Sequence, residues 1–211
     1  MAQSKPGRAD RQLSPEKTEA ILTGGMQEFL AHGYAATSMD RVAIAAKVSK
    51  ATIYSHFQDK ENLFAALIQR LVEQKIQSIF GIADAQISQM PPEVVLKSFA
   101  NRILDLGSSE PQFLNFMRLI IGESGRFPQL AHAFVRNIEQ IAFKRLCDYL
   151  THYPQLNLAD PEATAQIFVG AIVHFLILQE MLHGKEIVPM ERDRIIDNLI
   201  AMILKKQITG V

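Results

Sequence analysis

The chain has 211 residues, of which 48% are hydrophobic and 21% are charged. These are ordinary values for a globular protein, and they exclude a chain that is disordered throughout. The 22 basic and 22 acidic side chains cancel, which excludes a uniformly positive protein. Clustered positive charge is still compatible with a zero sum, because the placement of charges decides the field near a surface.

Cysteine content and apolar runs predict where the protein works. Cys147 is the only cysteine, and no Cys/His spacing suggests zinc, so we expect a reducing compartment, no metal and no cofactor. Residues 1–13 are polar and lack an apolar signal core. The longest nearly apolar run, Ile167–Leu178, is well below the ~20 residues that span a bilayer. We expect a soluble, cytoplasmic protein with no membrane partner.

Proline and glycine divide the chain into segments with helical periodicity. Six prolines stand where the first turn of a helix tolerates them, namely Pro15, Pro92, Pro111, Pro128, Pro161 and Pro189. Three glycines follow such segments as carboxy-terminal caps, namely Gly33, Gly107 and Gly184. Strand signals are nearly absent. The fold class predicted is all-α, with about nine helices, near 15–32, 39–46, 50–57, 60–88, 92–107, 111–122, 128–151, 161–183 and 189–207.

The segment Thr37–Phe57 has the pattern of a helix-turn-helix, with a short turn between two short helices. At about 100° per residue, Ile53 and Phe57 of the second helix face the core. Small residues lie opposite them, flanked by Tyr54 and His56. Such a helix can enter a major groove while larger donors reach phosphates.

The distribution of charge along the chain also favours DNA binding by the helix-turn-helix, although weakly. Residues 1–70 hold nine basic and seven acidic side chains, and residues 71–211 hold thirteen and fifteen. The first part is therefore slightly positive and the second slightly negative. Basic residues near a helix-turn-helix can approach a phosphate backbone, and contacts of this kind supply much of the salt-dependent affinity for DNA.

The stretch Gly33–Leu67 closely resembles the DNA-binding domain of TetR/AcrR-type transcriptional regulators. Members usually show A-G-V-S-x-G-T-x-Y-x-H-F, and here Lys47 and Ala51 replace the two glycines. The resemblance implies a homodimer that places two recognition helices in successive major grooves of a palindromic operator. By position it implies DNA contacts at Thr37, Lys50, Ala51, Thr52, Tyr54, His56 and Lys60.

The resemblance also assigns roles within this set. Tyr54, His56 and Lys60 correspond to phosphate contacts, and Lys50, Ala51 and Thr52 lie nearer base edges. The alternative is that Tyr54 and His56 only pack the module. The domains predicted are a flexible polar tail over 1–13, the DNA-binding module over 14–67, and a ligand-binding and dimerisation domain over 68–211.

Apolar faces of the larger domain suggest walls for a small-molecule effector. They place seven residues there, Phe113, Phe116, Met117, Ile120, Phe134, Ile138 and Phe175. The alternative is ordinary core. Arg118, Glu123 and Arg126 stand in an apolar context, and an ion pair between helices is favoured over ligand contact.

The helices near 161–183 and 189–207 are apolar enough to form a four-helix dimer interface. His174, within the first of them, is expected to lie in the core or the interface. The G-E-S-G run at Gly122–Gly125 lacks the strand and final glycine of a nucleophile elbow, and no nucleotide-binding loop or metal motif appears. We therefore predict no catalytic activity.

The function predicted is a ligand-responsive repressor that binds its operator as a homodimer and is released by a small apolar effector. The alternative is a small-molecule-binding helical dimer whose DNA module is non-functional, which the loss of both usual glycines favours.

Overall fold

The computed structural model describes residues 14–80, 90–109, 111–138, 143–153 and 156–205. In these ranges the chain forms ten α-helices and no strand, so the all-α prediction is confirmed. The helices are α1 (Pro15–Ala36), α2 (Met39–Ala45), α3 (Lys50–Phe57), α4 (Lys60–Phe80), α5 (Pro92–Ser109), α6 (Pro111–Glu123), α7 (Pro128–Ile138), α8 (Lys144–Thr151), α9 (Pro161–Leu176) and α10 (Arg192–Ile203).

The chain divides into two compact units, Met1–Leu67 and Ile68–Val211. The described part of the first unit contains α1 to α3 and the start of α4. The described part of the second contains the rest of α4 and α5 to α10. The predicted tail over 1–13 lies outside the described residues.

An aromatic cluster forms the core of the first unit. Phe29 stacks on Tyr34 with ring centroids 5.7 Å apart, and the ring of Phe64 meets both edge-on at 5.0 and 5.3 Å. Offset and edge-to-face arrangements are the favourable geometries for aromatic pairs. All three side chains are buried, so the cluster joins α1 to the first turns of α4.

Gly24 allows α1 to cross the end of α2 at backbone contact. A methyl group built on Gly24 would lie 2.8 Å from the backbone nitrogen of Ala46. Because α2 has only seven residues, it is too short to be stable alone and depends on this crossing.

In the second unit, α5 packs against α9 and α10. Arg192 at the start of α10 donates to the side chain of Asn101 at 2.9 Å and to that of Asp105 at 2.8 Å. Lys97 pairs with Asp197 at 2.7 Å on the same two helices. Gly107 lies inside α5, where a methyl group would collide with Leu176. The prediction that Gly107 is a carboxy-terminal cap is wrong. The residue instead allows α5 and α9 to approach closely, which is another role that the missing side chain of glycine permits.

The chain after α9 also differs from the sequence prediction. The helix continues through a π-helical turn, Ile177–Met181, and then a 3₁₀ turn, Gly184–Glu186. The left-handed residue after the helix is His183, with φ 57°, rather than Gly184. The last helix begins at Arg192, so Pro189 lies before it instead of in its first turn.

Two further predicted helices are described only in part. The helix predicted over 128–151 is described as α7 and α8, and residues 139–142 between them lie outside the described residues. The helix predicted over 60–88 is described as far as Phe80, and residues 81–89 lie outside the described range.

The ion pair predicted between helices is wrong. Arg118 donates to the backbone carbonyls of Glu180 and Met181 at 3.3 and 3.1 Å, where the π-helical turn leaves acceptors open. Arg126 lies 4.0 Å from Glu123, three residues earlier in the same stretch of chain.

Gly24→Ala is expected to lower the stability of the first unit. Its methyl group meets backbone atoms of Ala45 and Ala46, which cannot yield without moving α2. Overpacking costs ~1–3 kcal/mol, more than the ~1 kcal/mol that alanine gains over glycine in a helix. Urea denaturation measures the midpoint. Gly25→Ala is the control, because its methyl meets only leucine side chains at 3.4 Å. Equal midpoints for the two variants would contradict the close crossing.

Candidate nucleic-acid interface

Side-chain caps hold the helix-turn-helix in shape. The Ser38 hydroxyl accepts from the amide of Arg41 at 3.3 Å at the start of α2. The Ser49 hydroxyl accepts from the amide of Thr52 at 3.1 Å at the start of α3. Serine at these positions satisfies amides that have no partner inside the helix. The two helices therefore begin at fixed residues.

The recognition helix α3 has the two faces that its periodicity predicts. Ile53 and Phe57 are buried in the first unit, while Ala51, Tyr54 and Ser55 are exposed. Tyr54 keeps 42% of its surface accessible. The exposed face therefore has small side chains at its centre and a large amphipathic one at its edge.

Thr52 is part of the helix start as well as the predicted contact surface. Its hydroxyl lies 2.8 Å from that of Ser49, and Ser55 donates to its carbonyl at 2.7 Å. The Thr52 side chain is half-buried. This network orients the hydroxyl groups that line the amino-terminal half of α3.

Lys50 lies at the start of α3 and pairs with Asp40 of α2, Nζ to Oδ2 at 2.8 Å. The hydrogen bond and the charge of Asp40 raise the pKa of Lys50, so the amine stays protonated. Both partners are exposed, so the pair contributes little to stability. Its effect is to direct the ammonium across the recognition surface toward α2.

His56 is held from the other side by α1. Its Nδ1 lies 3.0 Å from the Thr18 hydroxyl, which also lies within hydrogen-bond distance of the Ser14 carbonyl. Burial and the nearby charge of Lys17 lower the pKa of His56. The ring is therefore neutral at neutral pH, and its Nε2 can donate a hydrogen bond, rather than bring a charge, when the Thr18 hydroxyl donates to Nδ1.

The side chain of Thr37 is inside the first unit, at 2% exposure. Its hydroxyl lies 3.1 Å from the Glu28 carbonyl and 2.8 Å from the Gly33 carbonyl, and donates to them. This position takes the hydroxyl away from the surface that the other predicted contacts share. A DNA contact by the Thr37 side chain does not fit this geometry.

Lys60, the first residue of α4, also points inward. Its ammonium donates to the carbonyls of Tyr34, Ala35 and Thr37 at 2.7, 3.3 and 3.0 Å. It lies 4.4 Å from the Tyr34 ring centroid. Burial, followed by the charges of two nearby carboxylates, raises the pKa of Tyr34 to about 12, so this phenol stays neutral.

Sequence reasoning missed the partners of these side chains. Asp40 for Lys50 and Thr18 for His56 lie 10 and 38 residues away along the chain. It also missed that Arg41 is held by Glu28 at 3.1 Å and by the His32 ring at 2.8 Å. No periodicity within one helix indicates such pairs, because each joins two helices.

The residues predicted to line an effector pocket divide by burial. Phe116 and Ile120 are fully enclosed, at 0% and 2% exposure. The half-buried members are Phe113, Met117, Phe134 and Phe175. The Ile138 side chain lies outside the described residues.

Two family models match the chain. Residues 21–67 match that of the bacterial regulatory proteins of the tetR family. Residues 94–206, more than half of the chain, match the C-terminal domain of AefR-like transcriptional repressors. The chain belongs to the TetR family.

Individual TetR-family relatives match over shorter segments. A segment of 104 residues is 28% identical to the HTH-type transcriptional repressor SCO4008 of Streptomyces coelicolor, covering 49% of each chain. A 72-residue segment is 33% identical to the HTH-type transcriptional activator FasR of Mycolicibacterium smegmatis, covering 34% of this chain and 33% of that protein. The matches thus span about half or less of these relatives. Their names indicate DNA-binding regulators rather than enzymes.

Solved structures of the family cover nearly the whole chain. The flavonoid-responsive regulator FrrA is 29% identical, with a TM-score of 0.75 over 91% of this chain and 97% of that one. A TetR-family regulator from Mesorhizobium loti is 24% identical, with a TM-score of 0.73 over 91% and 98%; this second likeness shows the fold alone. The TetR-type resemblance of the sequence is confirmed.

The turn of the helix-turn-helix departs from the usual TetR-type motif at Lys47. This residue has φ 55°, in the left-handed region that glycine adopts without penalty. A side chain there costs roughly 1–2 kcal/mol. The usual glycine therefore suits this turn, and Lys47 adopts its conformation under strain.

Lys47→Gly is expected to be more stable than Lys47→Ala by ~1 kcal/mol, because both remove the charge and only glycine relieves the strain. The difference is measured by chemical denaturation of the two variants at the same pH and salt. Equal midpoints would contradict a strained turn.

Proposed function

We propose that this TetR-family chain is a ligand-responsive repressor that binds a palindromic operator as a homodimer. The observation that carries the proposal is the exposed face of α3. Ala51 and Ser55 leave room at its centre, and Lys50 and Tyr54 stand at its edge. This arrangement suits entry of the helix into a major groove.

We assign base-edge contacts to Lys50, Ala51 and Thr52, and phosphate contacts to Tyr54 and His56. Lys50 can donate to guanine, and the Ala51 methyl can contact thymine, since these are the pairings that major-groove geometry favours. His56 contributes as a neutral donor through Nε2, with the Thr18 hydroxyl donating to its Nδ1, and its lowered pKa keeps the ring uncharged. On this assignment the selectivity of the protein comes from a few placed groups.

A second copy of the chain is our proposed cover for an apolar face on α9 and α10. Ile167, Gly170 and His174 are exposed along α9, and Met202 is exposed on α10. Pro161–Met181 is long and apolar enough to cross a membrane, with a mean hydropathy of 1.5, yet only 28% of its apolar window is buried. One such helix is weak evidence for a membrane span. A dimer with a four-helix interface covers the same surface.

For the effector we propose a small apolar molecule. The half-buried side chains Phe113, Met117, Phe134 and Phe175 are of the adaptable kind that line such sites. FrrA, 29% identical, is a flavonoid-responsive regulator, and SmeT, a neighbour in fold at 19% identity, forms a complex with triclosan. An effector that binds the DNA-free form more tightly would shift the population off DNA, and ~3 kcal/mol of differential binding suffices to halve an occupancy of 99%. Such a protein works in the cytoplasm, where the chromosome is.

DNA binding is tested by electrophoretic mobility shift with fragments from the region upstream of the chain's own coding sequence. Lys50→Ala combined with Tyr54→Ala is expected to weaken binding at least tenfold, because each lost contact is worth ~1–3 kcal/mol. Lys97→Ala is the matched control, since Lys97 is half-buried and also ion-paired, at 2.7 Å, but lies on α5.

Unchanged binding by the Lys50/Tyr54 variant would defeat the assignment of the interface. A wild-type chain that binds no fragment would favour the second candidate, a small-molecule-binding dimer with an inactive DNA module. The observation that favours this candidate is the strained, glycine-free turn at Lys47.

The dimer is tested by Ile167→Arg, which places a charge at a side chain with 64% exposure on the proposed interface. Burying an unpaired charge between subunits is costly, so we expect light scattering to report the mass of one chain instead of two. Val135→Arg on α7 is the control, because Val135 is also exposed, at 55%. An Ile167→Arg variant that stays dimeric would place the interface elsewhere.

A further inference from the structure

The ammonium of Lys60 closes the carboxyl end of α1. The last carbonyls of an α-helix have no donors within the helix. Lys60 donates to three acceptors there, the carbonyls of Tyr34, Ala35 and Thr37, at 2.7 to 3.3 Å. An ammonium has three protons and no acceptor, so one side chain supplies a donor for each of these carbonyls.

Thr37 closes the same end one turn earlier. Its buried hydroxyl donates to the carbonyls of Glu28 and Gly33. Gly33 has φ 76° and ψ 170°, a non-helical break inside the last part of α1. The end of α1 is therefore satisfied by one residue just after it and by one residue of α4.

A phosphate contact by Lys60 would undo this closure. The ammonium would leave three carbonyls without their donor and would move from the face of the Tyr34 ring, 4.4 Å away. Unmaking several hydrogen bonds of a partly buried ammonium opposes the gain from a solvated phosphate. Lys60 thus differs from Lys50, whose ammonium is exposed and pairs with one exposed carboxylate.

We propose that Lys60 is a positioning residue that couples α4 to the DNA-binding helices instead of contacting DNA. Its three bonds tie the first residue of α4 to the last turn of α1. Helix α1 in turn contacts the end of α2 through Gly24, and α2 packs on α3. A displacement of the start of α4 is therefore passed to the recognition helix. The inference rests on the proposed function and concerns how that site is regulated.

The test compares wild type with Lys60→Met and Lys60→Arg for binding to a 30-base-pair duplex of random sequence over a range of salt concentrations. A lost phosphate contact reduces the magnitude of the negative slope of log K against log salt by about 0.9, or by about 1.8 for a dimer. We expect Lys60→Met to bind three- to tenfold more weakly with an unchanged slope. Arginine, which can also donate to carbonyls, is expected to restore the affinity.

Two control variants separate the loss of hydrogen bonds at the end of α1 from the loss of a positive charge. Thr37→Val removes a neutral donor at the same helix end, and it should weaken binding at an unchanged slope, as Lys60→Met does. Lys97→Met removes a lysine charge on α5 and should change neither quantity. A shallower salt dependence for Lys60→Met would show a phosphate contact and overturn the proposal. Affinity equal to that of wild type would overturn it as well.

Hydrogen exchange tests the coupling without DNA. In Lys60→Met, amides of residues 33–38 and 60–66 are expected to exchange at least tenfold faster, and those of α10 to keep their rates. Unchanged exchange in both segments would overturn the proposal even if DNA binding were lost. A wild-type protein that binds no duplex, with the expected exchange result, would refute the proposed function and leave the closure supported.

Discussion

The carboxyl end of α1 is the constraint on which the described part of the first unit depends. A helix that ends leaves carbonyls that water or a donor must satisfy, and α1 is broken at Gly33 and ends at Ala36. The donors come from Thr37 and Lys60. Helix α2 begins two residues after the first donor, and α4 begins at the second. One helix end therefore fixes where two other helices start.

The position of the recognition helix α3 depends on α1, because α3 is too short to form alone. Helix α3 has eight residues, fewer than an isolated helix needs in water. Its cap at Ser49, its buried residues Ile53 and Phe57, and the bond from His56 to Thr18 hold it in place. The last of these leads directly back to α1. The exposed face of α3 is thus positioned by the helices behind it.

How much of this the sequence predicted depends on the range of the interaction. Prolines at 15, 92, 111, 128 and 161 are the first residues of helices as predicted, because the proline ring acts on its own backbone. The inward and outward faces of α3 also followed from periodicity. These are local properties that one segment determines by itself.

Contacts between segments were beyond the same reasoning. A motif position aligned Lys60 with phosphate contacts, while its hydrogen bonds join residues 23 to 26 positions apart. Gly107 was predicted to be a cap because the sequence alone does not distinguish a glycine at a helix end from a glycine at a helix crossing. The contact of Gly107 in α5 with Leu176 of α9 identifies it as the second kind.

Several basic side chains near the proposed DNA-binding surface already have partners within the chain. Arg41 lies against Glu28, Lys50 against Asp40, and Lys60 against backbone carbonyls. A cation with an anion ~3 Å away presents a dipole, whose field falls off faster than that of a charge. On the proposed function, one such module attracts DNA weakly. Two modules joined in a dimer raise each other's effective concentration, so operator affinity depends on the apolar face of α9 and α10 as much as on the charges of α3.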